Sequence, residues 1–203
     1  MELLEGVNFW PEKLDRAVQK DLLREVLARV AKAPFFRPTM PRTGTPFSVE
    51  MTNFGPLGWV SDRDGGYRYQ PRHPVTVEPW PEIPDLLLDL WAQTTRYPAA
   101  PEACLVNLYR AGAHMGLHRD EDEQAMDAPV LSVSLGDAAI FRFGMKKRGG
   151  ETRTVKLRSG DVLSFGGPAR LLYHGIDRIE SGSSGLVPGG GRINLTLRRV
   201  SPK

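Results

Sequence analysis

At 203 residues, with 40% hydrophobic and 25% charged residues, 21 Gly and 17 Pro, the chain is long enough for one sizeable core, and this composition excludes coiled coil, collagen and global disorder. A single cysteine, Cys104, rules out an intramolecular disulfide, and no basic-then-apolar leader or run of roughly 18 to 20 apolar residues occurs. A cytoplasmic protein with no membrane association is therefore expected. The net charge of +3 is uneven: residues 1–141 hold 14 Lys and Arg against 20 Asp and Glu, whereas 142–203 hold 13 against 4. Such a basic final third suits a polyanion only if its charges share a face.

In chain order, residues 11–32 read as an amphipathic helix, with Leu14, Val18, Leu22, Val26 and Val30 on one stripe, Pro11 in the first turn and Pro34 as the stop. Residues 35–81 are rich in Pro, Gly and aromatics with only short extended pieces such as 47–51, which predicts a loop-heavy lid. A second helix is predicted over 83–96, its apolar face made by Leu86, Leu87, Leu90 and Trp91. From Ala103 the period becomes two, in the runs ACLVNLY, VLSVSLG, AAIFRFG, TRTVKL, DVLSFG, RLLYHG and RINLTLR. Seven short strands predict a sandwich or jelly roll in a mainly β, α+β chain. The glycine- and serine-rich stretch 181–191 is predicted to be a flexible hairpin loop. One domain over 1–203 is expected, with helices and lid to residue 100 and the β core from 101.

The chemistry gathers late in the chain. His118 and Asp120 stand at i and i+2, so in an extended segment both point to one face. His174, near the end of the RLLYHG run, is a third candidate that a sandwich could bring back beside them. Two imidazoles and one carboxylate leave three positions of an octahedron open, which suits non-haem Fe(II) and oxygen activation. A lone HxD pair is also common on protein surfaces. In the final strand, alternation puts Ile193, Leu195 and Leu197 on one face and Arg192, Asn194, Thr196 and Arg198 on the other. Two guanidiniums on one face suit a dicarboxylate, since Arg binds carboxylates bidentately; an exposed antiparallel strand would show the same alternation. Asn107 and Tyr109 repeat the i, i+2 spacing and offer an amide and a phenol to the same ligand.

Together, NxYxxG (Asn107, Tyr109, Gly112), HxD, the distal YHG around His174 and RxNxTxR (192–198), with MTNFGPLGW and GYRYQP upstream, resemble the AlkB family of Fe(II)- and 2-oxoglutarate-dependent dioxygenases, most of all its bacterial branch. The resemblance runs unbroken over about 45–200 and implies a double-stranded β-helix preceded by helices and a nucleotide-recognition lid. It implies that His118, Asp120 and His174 are the catalytic iron ligands, that Arg192 and Arg198 anchor the carboxylates of 2-oxoglutarate, and that Asn107, Tyr109 and Asn194 bond the same cosubstrate, with O2 as the oxidant. Trp59, Tyr67 and Tyr69 match lid positions that hold a flipped base and its backbone, Asp122 matches a contact to the exocyclic amine, and Arg148 a further substrate contact. Met145 and Lys146 depart from the family pattern, which bears on fine substrate preference.

The implied activity is oxidative dealkylation of 1-methyladenine and 3-methylcytosine in alkylated DNA, in single strands foremost and with RNA as a further substrate, by a monomer. Extruding a lesion that cannot pair is cheap, base–aromatic stacking returns about 1 to 3 kcal/mol, and Asp122 favours a cationic base. The alternatives are a dioxygenase of the same fold that demethylates tRNA or protein, and a non-catalytic nucleic-acid-binding module. Gly189, Gly190 and Gly191 lack the Lys-Ser/Thr of a phosphate loop, the acidic run after Asp120 lacks EF-hand spacing, and Cys104 sits in an apolar strand as a small core residue.

Overall fold

The structure, a computed structural model, describes residues 1–144 and 150–202. Arg148, Met145 and Lys146 lie outside the described residues. Strands β1 (Glu2–Leu4) and β2 (Val7–Trp10) precede helix α1 (Arg16–Val30); β3 (Glu50–Phe54), β4 (Gly58–Asp62) and β5 (Gly66–Gln70) follow, then helix α2 (Asp85–Thr95). The rest is β6 (Ala103–Tyr109), β7 (Met115–His118), β8 (Val130–Gly136), β9 (Ala138–Gly144), β10 (Thr152–Leu157), β11 (Val162–Phe165), β12 (His174–Glu180) and β13 (Arg192–Arg198).

These strands form two antiparallel sheets, a large one in the order β1-β2-β11-β8-β13-β6-β3 and a small one in the order β10-β9-β12-β7, with β4 and β5 as a separate hairpin. Leu105, Leu163 and Phe165 of the large sheet share an inner apolar layer with Phe141, Phe143 and Ile176 of the small one. On the other side of the large sheet, Val106, Val133, Leu195 and Leu197 pack with Leu22, Leu23 and Val26 of α1 and Leu87, Leu90 and Trp91 of α2. Burying each such side chain contributes about 1.5 to 3 kcal/mol. The helices thus claim the apolar face of β13, and its polar face has only the interior to turn to. All seven of its residues are buried, so it is not a strand with a wet face.

Several elements differ from their sequence expectations for local reasons. Helix α1 starts at Arg16, not near Pro11, because Trp10 pairs with Val162 in the sheet and the Leu14 amide donates to Gly160 O at 3.0 Å; Asp15 then caps the helix by accepting from Val18 N. Strands β1, β2 and β3 add to the edges of the large sheet. The lid contains the regular hairpin β4–β5. His174 opens a strand instead of closing one, since a 3-10 turn at Gly167–Ala169, with Pro168 inside it, breaks the run before it. The 181–191 segment crosses from the small sheet to the large one and is no hairpin. Buried Asp137 accepts from the amides of Gly182, Ser184 and Gly191, and Arg110 donates to Pro188 O, which pins the segment.

Candidate active site

Sheet register assembles the site. His118 at the end of β7 pairs directly with His174 at the start of β12, so the two rings lie 4.5 Å apart between centroids. Asp120, two residues on and 3% exposed, reaches between them, 3.6 Å from Nε2 of each. The ligand atoms of the three residues all fall within 4.8 Å of one another. Each imidazole has its Nδ1 on a backbone carbonyl, Gly116 O for His118 at 2.9 Å and Leu172 O for His174 at 3.0 Å. A carbonyl only accepts, so Nδ1 carries the proton and the Nε2 lone pairs face Asp120, the tautomer a metal needs. Burial lowers His174 to about 4, against the pull of Asp120, and so keeps it neutral. Burial alone would raise Asp120, but Arg198, with the two histidines, brings it down to about 2. Two imidazoles and one carboxylate are the donor set for a divalent metal.

Beside the triad, the register of β13 with β6 sets Arg192 opposite Tyr109 and Asn194 opposite Asn107, all facing the interior. Arg192 is 1% exposed; its Nη2 donates to Ser134 Oγ and its guanidinium lies over the Tyr109 ring at 5.4 Å. Burial lowers Arg192 to about 10 and raises Tyr109 to about 12, so both keep their protons at neutral pH. Asn107 donates to Asn194 Oδ1, and Asn194 to Ser132 Oγ. Among the described residues, Asp120 Oδ2, Asn107 Oδ1, Arg192 Nε and Nη1, and Arg198 Nε are buried without a hydrogen-bond partner. Each such group costs about 1 to 3 kcal/mol, and native interiors rarely tolerate them. Their residues line one cavity of about 760 Å³, which also contains His118 and His174. One carboxylate oxygen and an amide oxygen face three guanidinium N–H groups there: the residues fit a cation and a small polyacid together.

Trp59, Tyr67 and Asp122 line the same cavity. Trp59 stacks on Tyr67 with centroids 5.6 Å apart, and its Nε1 donates to Asp122 Oδ2 at 2.7 Å. Asn53 fixes the Trp59 backbone from both sides, accepting from its amide and donating to its carbonyl. Tyr69 does not line the cavity; its hydroxyl meets Glu123 and Arg198 behind it. Arg198 is more committed than expected of a ligand anchor, since its Nη2 contacts Asp120 Oδ1 at 2.7 Å and its Nη1 Glu123 Oε1 at 2.9 Å, which leaves Nε toward the cavity. Sequence reasoning passed over Glu123 and Arg170, a buried ion pair at 2.8 Å beneath the triad. An arginine alone between apolar residues in GPARLLYHG was the available signal.

Fold and site define a class: a jelly-roll protein whose two histidines and aspartate can hold a redox metal beside a buried anchor for a small acid. Comparison with known proteins agrees. The profile of the 2OG-Fe(II) oxygenase superfamily matches residues 6–198. The chain is 54% identical over 202 residues to the alpha-ketoglutarate-dependent dioxygenase AlkB homolog of Caulobacter vibrioides, covering 98% of this chain and 90% of that one. With the alpha-ketoglutarate-dependent dioxygenase AlkB of Escherichia coli it shares 41% over 188 residues, 91% of this chain and 86% of the other. The solved structure of OsALKBH1 superposes with a TM-score of 0.82 at 28% identity, covering 98% of this chain and 100% of that one. The chain belongs to the AlkB family of the 2OG-Fe(II) oxygenase superfamily, and is an Fe(II)- and 2-oxoglutarate-dependent dioxygenase.

Proposed function

We propose that this enzyme removes methyl groups from the bases of alkylated DNA, with 1-methyladenine and 3-methylcytosine as its lesions, single strands as its preferred form and RNA as a further substrate. The carrying observation is the contact between Trp59 and Asp122 on the wall of the cavity that holds the two imidazoles. An aromatic face for a stacked base lies there beside a carboxylate for its exocyclic amine. Kinship with the AlkB proteins supports the same reading.

A methyl on a ring nitrogen offers no carbonyl to a nucleophile, so hydrolysis has no foothold. Iron on His118, Asp120 and His174, with 2-oxoglutarate beside it, supplies the O2-dependent oxidation of such a methyl group, coupled to decarboxylation of the keto acid to succinate and CO2, after which the hydroxylated methyl leaves as formaldehyde. The chain's own residues bind, orient and exclude. Arg192 and Arg198 take the carboxylates, and Asn107, Tyr109 and Asn194 fix the cosubstrate's orientation. Trp59 and Tyr67 hold the extruded base, returning about 1 to 3 kcal/mol of what extrusion costs. Asp122 accepts from the exocyclic amine and attracts a cationic ring. Arg148 contacts the substrate from its basic segment. Every residue so assigned comes from one chain, so a monomer suffices. We assign the lid and helices to residues 1–100, the catalytic core to 101–203, and the work to the cytoplasm; among the described residues no helix is long and apolar enough to cross a membrane.

The test is mass spectrometry of 1-methyladenine and 3-methylcytosine oligonucleotides, DNA and RNA in parallel, after incubation with Fe(II), 2-oxoglutarate and air. Loss of one methylene unit per lesion, with formaldehyde and succinate formed, is expected. Succinate formed while every lesion stays intact overturns the assignment to bases.

A further inference from the structure

Buried Glu123 and Arg170, with half-buried Tyr69 beside them, have no task in that reaction. Their contacts form a closed set. Arg170, 3% exposed, donates from Nη1 to the main-chain O of Asp120 at 2.6 Å, from Nε to Ala128 O at 2.9 Å and from Nη2 to Glu123 Oε2. Glu123, its side chain fully covered, accepts on Oε1 from both Arg198 and Tyr69. Arg198 in turn grips Asp120 Oδ1 and donates to the Tyr69 hydroxyl at 3.1 Å. The metal carboxylate is thus held at its backbone by one guanidinium and at its side chain by another, and Glu123 binds both.

The other end of this set lies in the lid. Trp59 and Tyr69 are direct partners across the β4–β5 hairpin, so they share a face, and they meet sequence neighbours: Trp59 bonds Asp122 and Tyr69 bonds Glu123. Two strands alone are barely stable in water, so the hairpin's position depends on such ties to the core. A base that stacks on Trp59 pushes on a strand whose partner residue is bonded to the cation gripping Asp120.

We infer that Tyr69 is a positioning residue that couples the base-holding hairpin to the metal carboxylate through Arg198 and Glu123, so that an occupied lid tightens the cosubstrate's oxidation to the base. The inference rests on the base-repair reading and makes uncoupled consumption of 2-oxoglutarate a property of one hydroxyl. Tyr69→Phe keeps the ring and removes only that group.

Two readouts test it. Under anaerobic conditions, Fe(II) and 2-oxoglutarate give the wild-type protein a visible charge-transfer band, expected to shift when methylated oligonucleotide is added; in Tyr69→Phe the band forms and the shift is lost. In air, succinate formed per methyl removed at saturating oligonucleotide rises about tenfold in the variant, the effect of losing one hydrogen bond to a charged group. Arg68→Ala controls for a loosened hairpin: it removes the 2.7 Å ion pair to Asp62 within the hairpin and should leave both readouts at wild-type values. A wild-type band indifferent to oligonucleotide, a Tyr69→Phe shift equal to wild type, or an equal rise of the succinate ratio in Arg68→Ala each overturns the coupling. Wild-type protein that shifts its band yet removes no methyl overturns the repair reading and leaves the coupling standing.

Discussion

Asp122 carries both a charge and a hydrogen bond, and the two separate cleanly. Its Oδ2 accepts from Trp59 Nε1, a bond that an asparagine oxygen can also accept. Asp122→Asn should therefore keep the indole in place while losing the attraction to a cationic ring. Relative kcat/KM for 1-methyladenine over a neutral methylated base such as 3-methylthymine should fall by about tenfold, the effect of one charge-assisted contact. An unchanged ratio would remove Asp122 from lesion choice. His174 gives a second prediction. Burial brings it from 6.5 to about 4, so between those values the unfolded chain binds a proton that the folded one refuses. The stabilisation is complete above pH 6.5 and is lost as pH falls toward 4. Melting temperatures of metal-free protein should decline across that interval, and His174→Asn should flatten the decline; parallel profiles would refute it.

At the level of elements, legibility followed packing. The runs at 103–109, 130–136, 138–144 and 192–198 are strands as their alternation predicts, because each has one face against apolar neighbours and one with a different job. Alternation could not say which face of β13 was wet. That was decided by α1 and α2 covering the other side. The β4–β5 hairpin escaped notice because its strands carry Arg68, Asp62 and glycines instead of a clean apolar period, and β7 because it is only four residues long and none of them is buried. The metal ligands were legible as residue types; that His118 and His174 are register partners was not. For the hairpin, Gly58 sets the seat: a Cβ there would press into the Trp80 ring and lie 2.7 Å from Asn53 Cβ. Gly58→Ala should cost about 1 to 3 kcal/mol by overpacking and displace Trp59. A several-fold weaker affinity for methylated oligonucleotide, with 2-oxoglutarate binding intact, is expected in titrations; equal loss of both would mean the hairpin is not a separate unit of recognition.

Across the whole molecule, the basic final third turns out to be only partly a surface. Arg170, Arg192 and Arg198 are spent inside, and Arg142 and Lys156 pair with Asp177 and Glu180 across the small sheet. The excess of +9 over 142–203 therefore overstates what a phosphate chain would meet. Binding to a single-stranded oligonucleotide should weaken with salt along a shallow line, at about −0.7 in log–log slope per phosphate neutralised, and a slope near what nine contacts would give is ruled out on this view. Titrations from low to moderate salt measure it directly.

Arg192, sealed behind its strand with two donors unanswered, makes the keto acid more than fuel. A small metabolite that quiets a buried cation also braces the scaffold, and ligand above its Kd raises stability as RT ln(1 + [L]/Kd). Heat resistance of the iron-loaded enzyme, followed anaerobically, should climb with 2-oxoglutarate concentration and respond less to succinate, a dicarboxylate one carbon shorter that lacks the keto group. In a starving cell the repair protein would lose its co-reactant and part of its lifespan together.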